Sequence, residues 1–179
     1  MLSLSKGFLP IFFCMIFLTQ ACVRFGSTKK AVANFNGEKI KGNAIFTQEG
    51  GKVKITGELE GLDPNSKHGF HVHEFGDVRD NCLAAGGHYN PFTKKHGSET
   101  SGERHVGDLG NIEADGDGKI KLDITVDGEI DGRTNFLGRA VVIHEKIDDL
   151  GQGGDSGSEA TGNSGKRIAC SVVGSMKED

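Results

Sequence analysis

The sequence predicts an all-β fold, an eight-stranded antiparallel Greek-key β-barrel or sandwich with two long functional loops. Three observations carry that expectation. Short segments alternate apolar and polar residues with the period of two of a half-buried strand, whose successive side chains leave opposite faces. Glycine is abundant at 28 residues while proline (3), tryptophan (0) and tyrosine (1) are scarce, a composition suited to many tight turns. Beyond the first 21 residues no segment shows a convincing helical apolar period.

Taken in order, Ala31 to Phe35 is the first expected strand and ends at the turn Asn36-Gly37. Ile40 to Gln48 is the second, closed by Glu49-Gly50-Gly51, and Lys52 to Leu59 the third, closed by Glu60-Gly61. In the third, Val53, Ile55, Gly57 and Leu59 share one face, and Lys52, Lys54, Thr56 and Glu58 the other. Gly69 to Phe75 is the fourth, Gly107 to Glu113 the fifth, and Lys119 to Val126 the sixth, following the turn residues Asp115-Gly116-Asp117-Gly118. Arg139 to His144 and Ile168 to Val173 complete the set, and so many short antiparallel strands imply a sandwich or flattened barrel. Two connections, residues 76–104 and 146–167, are too long for hairpins. Loops beyond about 12–15 residues without structure of their own are usually functional or disordered. The first holds Cys82, His88 and His96 and leads into His105; the second is rich in Gly, Ser and Asp and ends at Lys166-Arg167.

At 179 residues the chain is long enough for one domain with a substantial core. Its beginning reads as a cleavable export signal: one positive charge at Lys6, an apolar run from Phe8 to Leu18, then Thr19-Gln20-Ala21 with small residues at the −3 and −1 positions. The run is shorter than the roughly 20 residues of a spanning helix. Thr19 and Gln20 also fit a lipid-attachment box before Cys22 poorly. The expected organisation is therefore a signal peptide over residues 1–21 cleaved after Ala21, a short extension over 22–29, and one domain over 30–179, secreted and free of the membrane. Of the 21 basic and 25 acidic residues only Lys6 leaves with the signal, so the remaining net charge is about −5. That is no nucleic-acid footprint, and an anionic substrate must be drawn by a local field. Cys14 leaves with the signal and Cys22 is left over, free or paired between chains. In an oxidising compartment Cys82 and Cys170 form a natural disulfide, worth roughly 4–5 kcal/mol on the disputed chain-entropy model. No Asn-x-Ser/Thr site for N-glycosylation is present.

Six of the 7 histidines fall between His71 and His144. Imidazoles with a single carboxylate suit zinc or copper, whereas calcium and magnesium prefer oxygen shells. His71 and His73, two apart on a strand, project from one face, and His144 ends a separate strand that can supply a third ligand. His88, His96, His105 and Asp108 make a closed tetrahedral zinc set. His88 lies between the two groups and is the natural ring to serve both metals through its two nitrogens. His68 stands at odd spacing from His71 and is expected to pack away from the metals.

Residues 69–77 (Gly69-Phe70-His71-Val72-His73-Glu74-Phe75-Gly76-Asp77) resemble the signature of the copper/zinc superoxide dismutases. The likeness continues through Gly87-His88-Tyr89-Asn90-Pro91, Arg104-His105-Val106-Gly107-Asp108-Leu109-Gly110-Asn111, Val142-Ile143-His144-Glu145-Lys146 and 162–170, covering nearly the whole chain after the signal. The resemblance implies one copper per subunit on His71, His73, His88 and His144, and one zinc on His88, His96, His105 and Asp108. It further implies a Cys82–Cys170 disulfide, a carboxylate at Asp148 linking a copper histidine to a zinc histidine, and an anion guide at Arg167. His88 and Arg167 are then the catalytic residues of superoxide disproportionation. A copper-binding or copper-delivery protein on the same fold is the alternative; such proteins often lose ligands or add Cys-rich modules, and this chain does neither. The family's usual homodimer would use Phe75, Gly76, Leu137, Gly138, Val172 and Gly174, with Ser175 where relatives often carry an apolar residue, and copper would arrive from a delivery protein. The second loop reads Asp155-Ser156-Gly157-Ser158-Glu159-Ala160, lacking the lysine often found near Ala160, while Lys146 is kept. Weaker steering of the anion is the expected consequence.

Overall fold

A computed structural model describes residues 29–177. Residues 1–28, which include the expected signal segment, Cys14 and Cys22, lie outside the described residues, as do 178–179. Two antiparallel sheets face each other. One has the order β6-β3-β2-β1-β9, built from β1 (Lys30–Asn36), β2 (Lys41–Glu49), β3 (Lys52–Glu60), β6 (Lys119–Asp127) and β9 (Gly174–Ser175). The other has the order β5-β4-β7-β8, from β4 (Lys67–Val72), β5 (Asp108–Glu113), β7 (Ala140–His144) and β8 (Arg167–Val172). All eight expected strands are present, and the two-residue β9 is an addition that pairs with Ala31 and Val32 of β1. One short α-helix, α1 (Ser156–Thr161), also lies in the second loop, where sequence periodicity predicted none; six residues are too few to display a period.

The alternation read from the sequence is the alternation of burial. Val53, Ile55 and Leu59 of β3 are buried, and Phe35, Phe46, Phe70, Leu109, Phe136 and Ile143 join them between the sheets. Phe46 and Phe136 meet edge to face at 6.1 Å, an arrangement favoured by the ring quadrupole. Truncating such a ring to alanine costs about 3–5 kcal/mol. Gly57 interrupts the apolar row for a steric reason: at φ +136° a Cβ there would run into the Asn43 carbonyl of the neighbouring strand.

The pair β4–β7 at the centre of the second sheet positions the site. Phe70, Val72, Val141 and Ile143 point into the core, which sends His71, Val142 and His144 to the opposite face. The strands are antiparallel, with His71 opposite Val142, so the loops that follow them leave by opposite ends. Both return over the same face and meet at Asp148, which contacts a histidine from each side. The cover is tight, leaving His71 0% and His73 1% exposed. A Cys82–Cys170 disulfide (Cα–Cα 6.0 Å) fastens the first loop to β8.

Candidate metal centre

Under this cover two groups of side chains converge. His71, His73, His88 and His144 place one ring nitrogen each within 4.8 Å of one another, and His88, His96, His105 and Asp108 do the same with one atom each. A third triad, His71, His96 and Asp148, joins the two. His68 is buried but belongs to none of these; its Nδ1 is 2.7 Å from the His144 carbonyl and its Nε2 2.7 Å from Ser66 Oγ.

The orientation of each ring follows from what its outer nitrogen meets. His73 Nδ1 donates to the Gly86 carbonyl (3.0 Å) and His144 Nδ1 to the Gly165 carbonyl (3.3 Å). Carbonyl oxygens only accept, so these nitrogens carry the protons and each Nε2 keeps its lone pair. The two Nε2 atoms face each other at 3.2 Å. Asp148 does the same for two rings at once, accepting from His71 Nε2 and His96 Nε2, both at 2.8 Å. It is held in turn by Asn111, whose Nδ2 donates to the Asp148 carbonyl (2.9 Å) and whose Oδ1 accepts from the Asp148 amide (2.8 Å). Gly162 lies against this carboxylate in the left-handed conformation (φ 64°); any Cβ there would collide with Asp148 Oδ1 and crowd His96 Nε2.

His88 differs from the others because both of its nitrogens point inward. Nδ1 lies 2.9 Å from Asp108 Oδ1, among the second group, while Nε2 turns toward the first. His96 Nδ1 and His105 Nδ1 approach the same carboxylate oxygen at 3.0 and 3.2 Å. Asp108 Oδ2 is fixed by the amides of Gly97 (3.1 Å) and His105 (2.8 Å).

Three of the buried nitrogens among the described residues, His71 Nδ1, His88 Nε2 and His96 Nδ1, have no hydrogen-bond partner. An unsatisfied buried polar atom costs about 1–3 kcal/mol, and lone pairs on three such nitrogens in one cluster are what bound cations would satisfy. The donors fit two different ions. Four imidazole nitrogens suit copper, and three imidazoles with one carboxylate make a closed zinc set.

Charge separates the groups as well. Burial pushes His71 and His88 down, lowers His73 strongly and brings His144 to about 4, so these rings are neutral and ready to bind a metal at neutral pH. Burial works against the Asp108 carboxylate, yet the neighbouring rings of His105, His88 and His96 hold it far below the usual carboxylate range. Asp148, also buried, is held at about 2 by His71 and His96. Burial opposes the charged form of His96 too, but the carboxylates of Asp108 and Asp148 raise it to about 9.

Arg167 stands at the rim of the first group. Its Nη1 donates to the Cys82 carbonyl and its Nη2 to the Gly86 carbonyl, each at 2.5 Å. The Gly86 oxygen also accepts from His73, so one backbone atom spaces the guanidinium from the ring. The metal-ligand candidates His71, His73, His88, His96, His105, Asp108 and His144, with Asp148 and Arg167, thus lie in or beside one cluster. What sequence reading missed are the main-chain acceptors of Gly86 and Gly165, which no residue type announces, and Asn111, whose only signal was its place within residues 104–111.

Comparison with known proteins agrees with this geometry. The family model for copper/zinc superoxide dismutase matches residues 40–173. A protein of Paramecium bursaria Chlorella virus 1 named superoxide dismutase [Cu-Zn] is 48% identical over 169 residues, covering 92% of this chain and 89% of its own length. A protein of Yarrowia lipolytica with the same name is 49% identical over 150 residues, covering 81% of this chain and 97% of its own. Among solved structures, that of the clock protein EA4 superposes with a TM-score of 0.80 at 43% identity, over 85% of this chain and 98% of that one. With the matched region spanning both histidine groups, the chain belongs to the copper/zinc superoxide dismutase family.

Proposed function

We propose that this protein converts two superoxide anions and two protons into oxygen and hydrogen peroxide, with copper held by His71, His73, His88 and His144 and zinc by His88, His96, His105 and Asp108. The observation that carries the reading is His88, a single ring with one nitrogen in each group. Bound copper supplies one-electron redox chemistry, which redox-silent zinc does not. The protein does the rest. Arg167 is the cation an incoming anion meets; its guanidinium is always charged and offers paired donors. Its two carbonyl anchors hold it beside His73, so it need not reorganise to receive the substrate. His88 Nε2 holds a proton and passes it on in the half-reaction that yields peroxide, and solvent supplies the other. Asp148 keeps His71 and His96 in the tautomers that aim Nδ1 inward, and the two loops exclude water from all but the rim.

The surroundings of the site belong to the same reading. Residues 1–21 act as an export signal cleaved after Ala21, which places the Cys82–Cys170 disulfide in an oxidising compartment and residues 30–179 outside the cell as one domain. The protein pairs as a homodimer through Phe75, Gly76, Leu137, Gly138, Val172 and Gly174. Phe75 (52% exposed) and Val172 (39%) offer the patch its apolar surface, and Ser175 makes the association weaker than an all-apolar face would. A copper-delivery protein loads the first group.

Metal analysis of the protein with a superoxide-consumption assay tests the reading. One copper and one zinc per chain are expected, with activity abolished by copper removal and restored by copper alone. A copper-loaded protein that leaves superoxide untouched would overturn it.

A further inference from the structure

His96 lies on the long first loop, with no strand adjoining it. Its main-chain amide donates to the Glu159 carbonyl of α1 at 2.9 Å. One residue earlier, Lys95 Nζ reaches the Glu159 carboxylate at 2.7 Å. One residue of the second loop thus grips the first loop twice, by backbone and by side chain, next to a ligand of the second metal group. The gripping end is itself fixed. Asp155 caps α1 by accepting from the Ser158 amide (2.9 Å), Ser158 Oγ donates to Asp149 (2.7 Å), and Asn163 Nδ2 donates to Asp149 (2.8 Å). Lys95 and Glu159 are the exposed part of this clasp, at 64% and 52% of their side-chain surface. An ion must leave the buried second group by an opening of the loops over it, and such local openings are governed by the few contacts that hold the segment.

We infer that the Lys95–Glu159 ion pair is a latch that sets how fast zinc escapes from the His88, His96, His105 and Asp108 group by holding α1 against the backbone of His96. The inference rests on the zinc assignment above. Lys95 and Glu159 are positioning residues, since neither touches a ligand atom of the group. An exposed ion pair is worth about 0.2–1 kcal/mol, so losing it speeds release by about 1.4- to fivefold while the backbone bond to His96 remains.

The test uses full-length protein loaded with copper and zinc, at low ionic strength, and follows zinc transfer to an excess of a colorimetric chelator. K95Q and E159Q should each release zinc about 1.4- to fivefold faster than the unmodified protein, whereas K95R and the charge exchange K95E/E159K should release it at the rate of the unmodified protein. At about 1 M salt the differences should vanish, because the pair is screened. Copper release into a copper-selective chelator should be the same in all variants. K95Q and E159Q rates equal to that of the unmodified protein would overturn the latch, as would an exchange variant as fast as the single ones. The zinc content of the starting samples separates the two levels of inference. An unmodified protein that takes up no zinc overturns the site assignment and the latch with it, whereas a full load with indifferent rates overturns the latch alone.

Discussion

The two metal groups share a ring but are built differently. The first takes its histidines from the ends of paired strands, with His71 and His73 at and just past the end of β4 and His144 closing β7; their facing is set by sheet register. The second takes His96 and His105 from the long loop and Asp108 from the first position of β5. Its geometry depends on backbone amides, the Asp148 link and α1 closing over it. Electrostatics follow the same division. Burial, reinforced by the neighbouring histidines and Arg167, keeps the first group's rings neutral, while the carboxylates of Asp108 and Asp148 raise His96 of the second to about 9. A site printed on strands survives loop disturbance better than one assembled by loops, so the second group should be the first to lose its ion.

The largest effect should come from the ring that belongs to both. On the proposed mechanism His88→Ala would remove a ligand from each group and the proton-holding nitrogen, and superoxide consumption should fall by about 10²–10⁴-fold. Copper and zinc content measured on the same variant should both drop; loss of one ion alone would show that the groups are not joined through His88. Asp148→Ala should weaken metal affinity about 10–100-fold, because it frees His71 and His96 together. Competition with chelators checks this, and the comparison predicts a greater loss for zinc, since His71 is still fixed by β4. A loss confined to copper would reverse the comparison. Arg167→Ala should leave metal content unchanged but lower the rate of superoxide consumption about tenfold at low salt and flatten its dependence on ionic strength. Identical salt slopes for Arg167→Ala and the unmodified protein would remove Arg167 from the steering role.

How much was legible in the sequence follows the same line. The strands were readable because burial on one face imposes a period of two, and His71-x-His73 was readable as a same-face pair for that reason. The order of ligands along the chain makes His88 the bridging candidate. Loop contacts were not readable, since the Gly86 and Gly165 carbonyls act through backbone atoms that every residue possesses. The expected fourth strand also ran to Phe75, whereas β4 stops at Val72. The apolar alternation of Phe70 and Val72 breaks at the exposed Glu74, and the pairing gives way to a single bridge between His73 and His88. Helix α1 is hidden by its length, though Asp155 is of a residue type favoured at a helix start and accepts there from the Ser158 amide.

Diffraction from crystals of the copper- and zinc-loaded protein, recorded on either side of each metal's absorption edge, tests the shared ring most directly. The account predicts a copper peak at bonding distance from His88 Nε2 and a zinc peak at bonding distance from His88 Nδ1. Either ion found away from this imidazole, or both on the same side of it, would contradict the account.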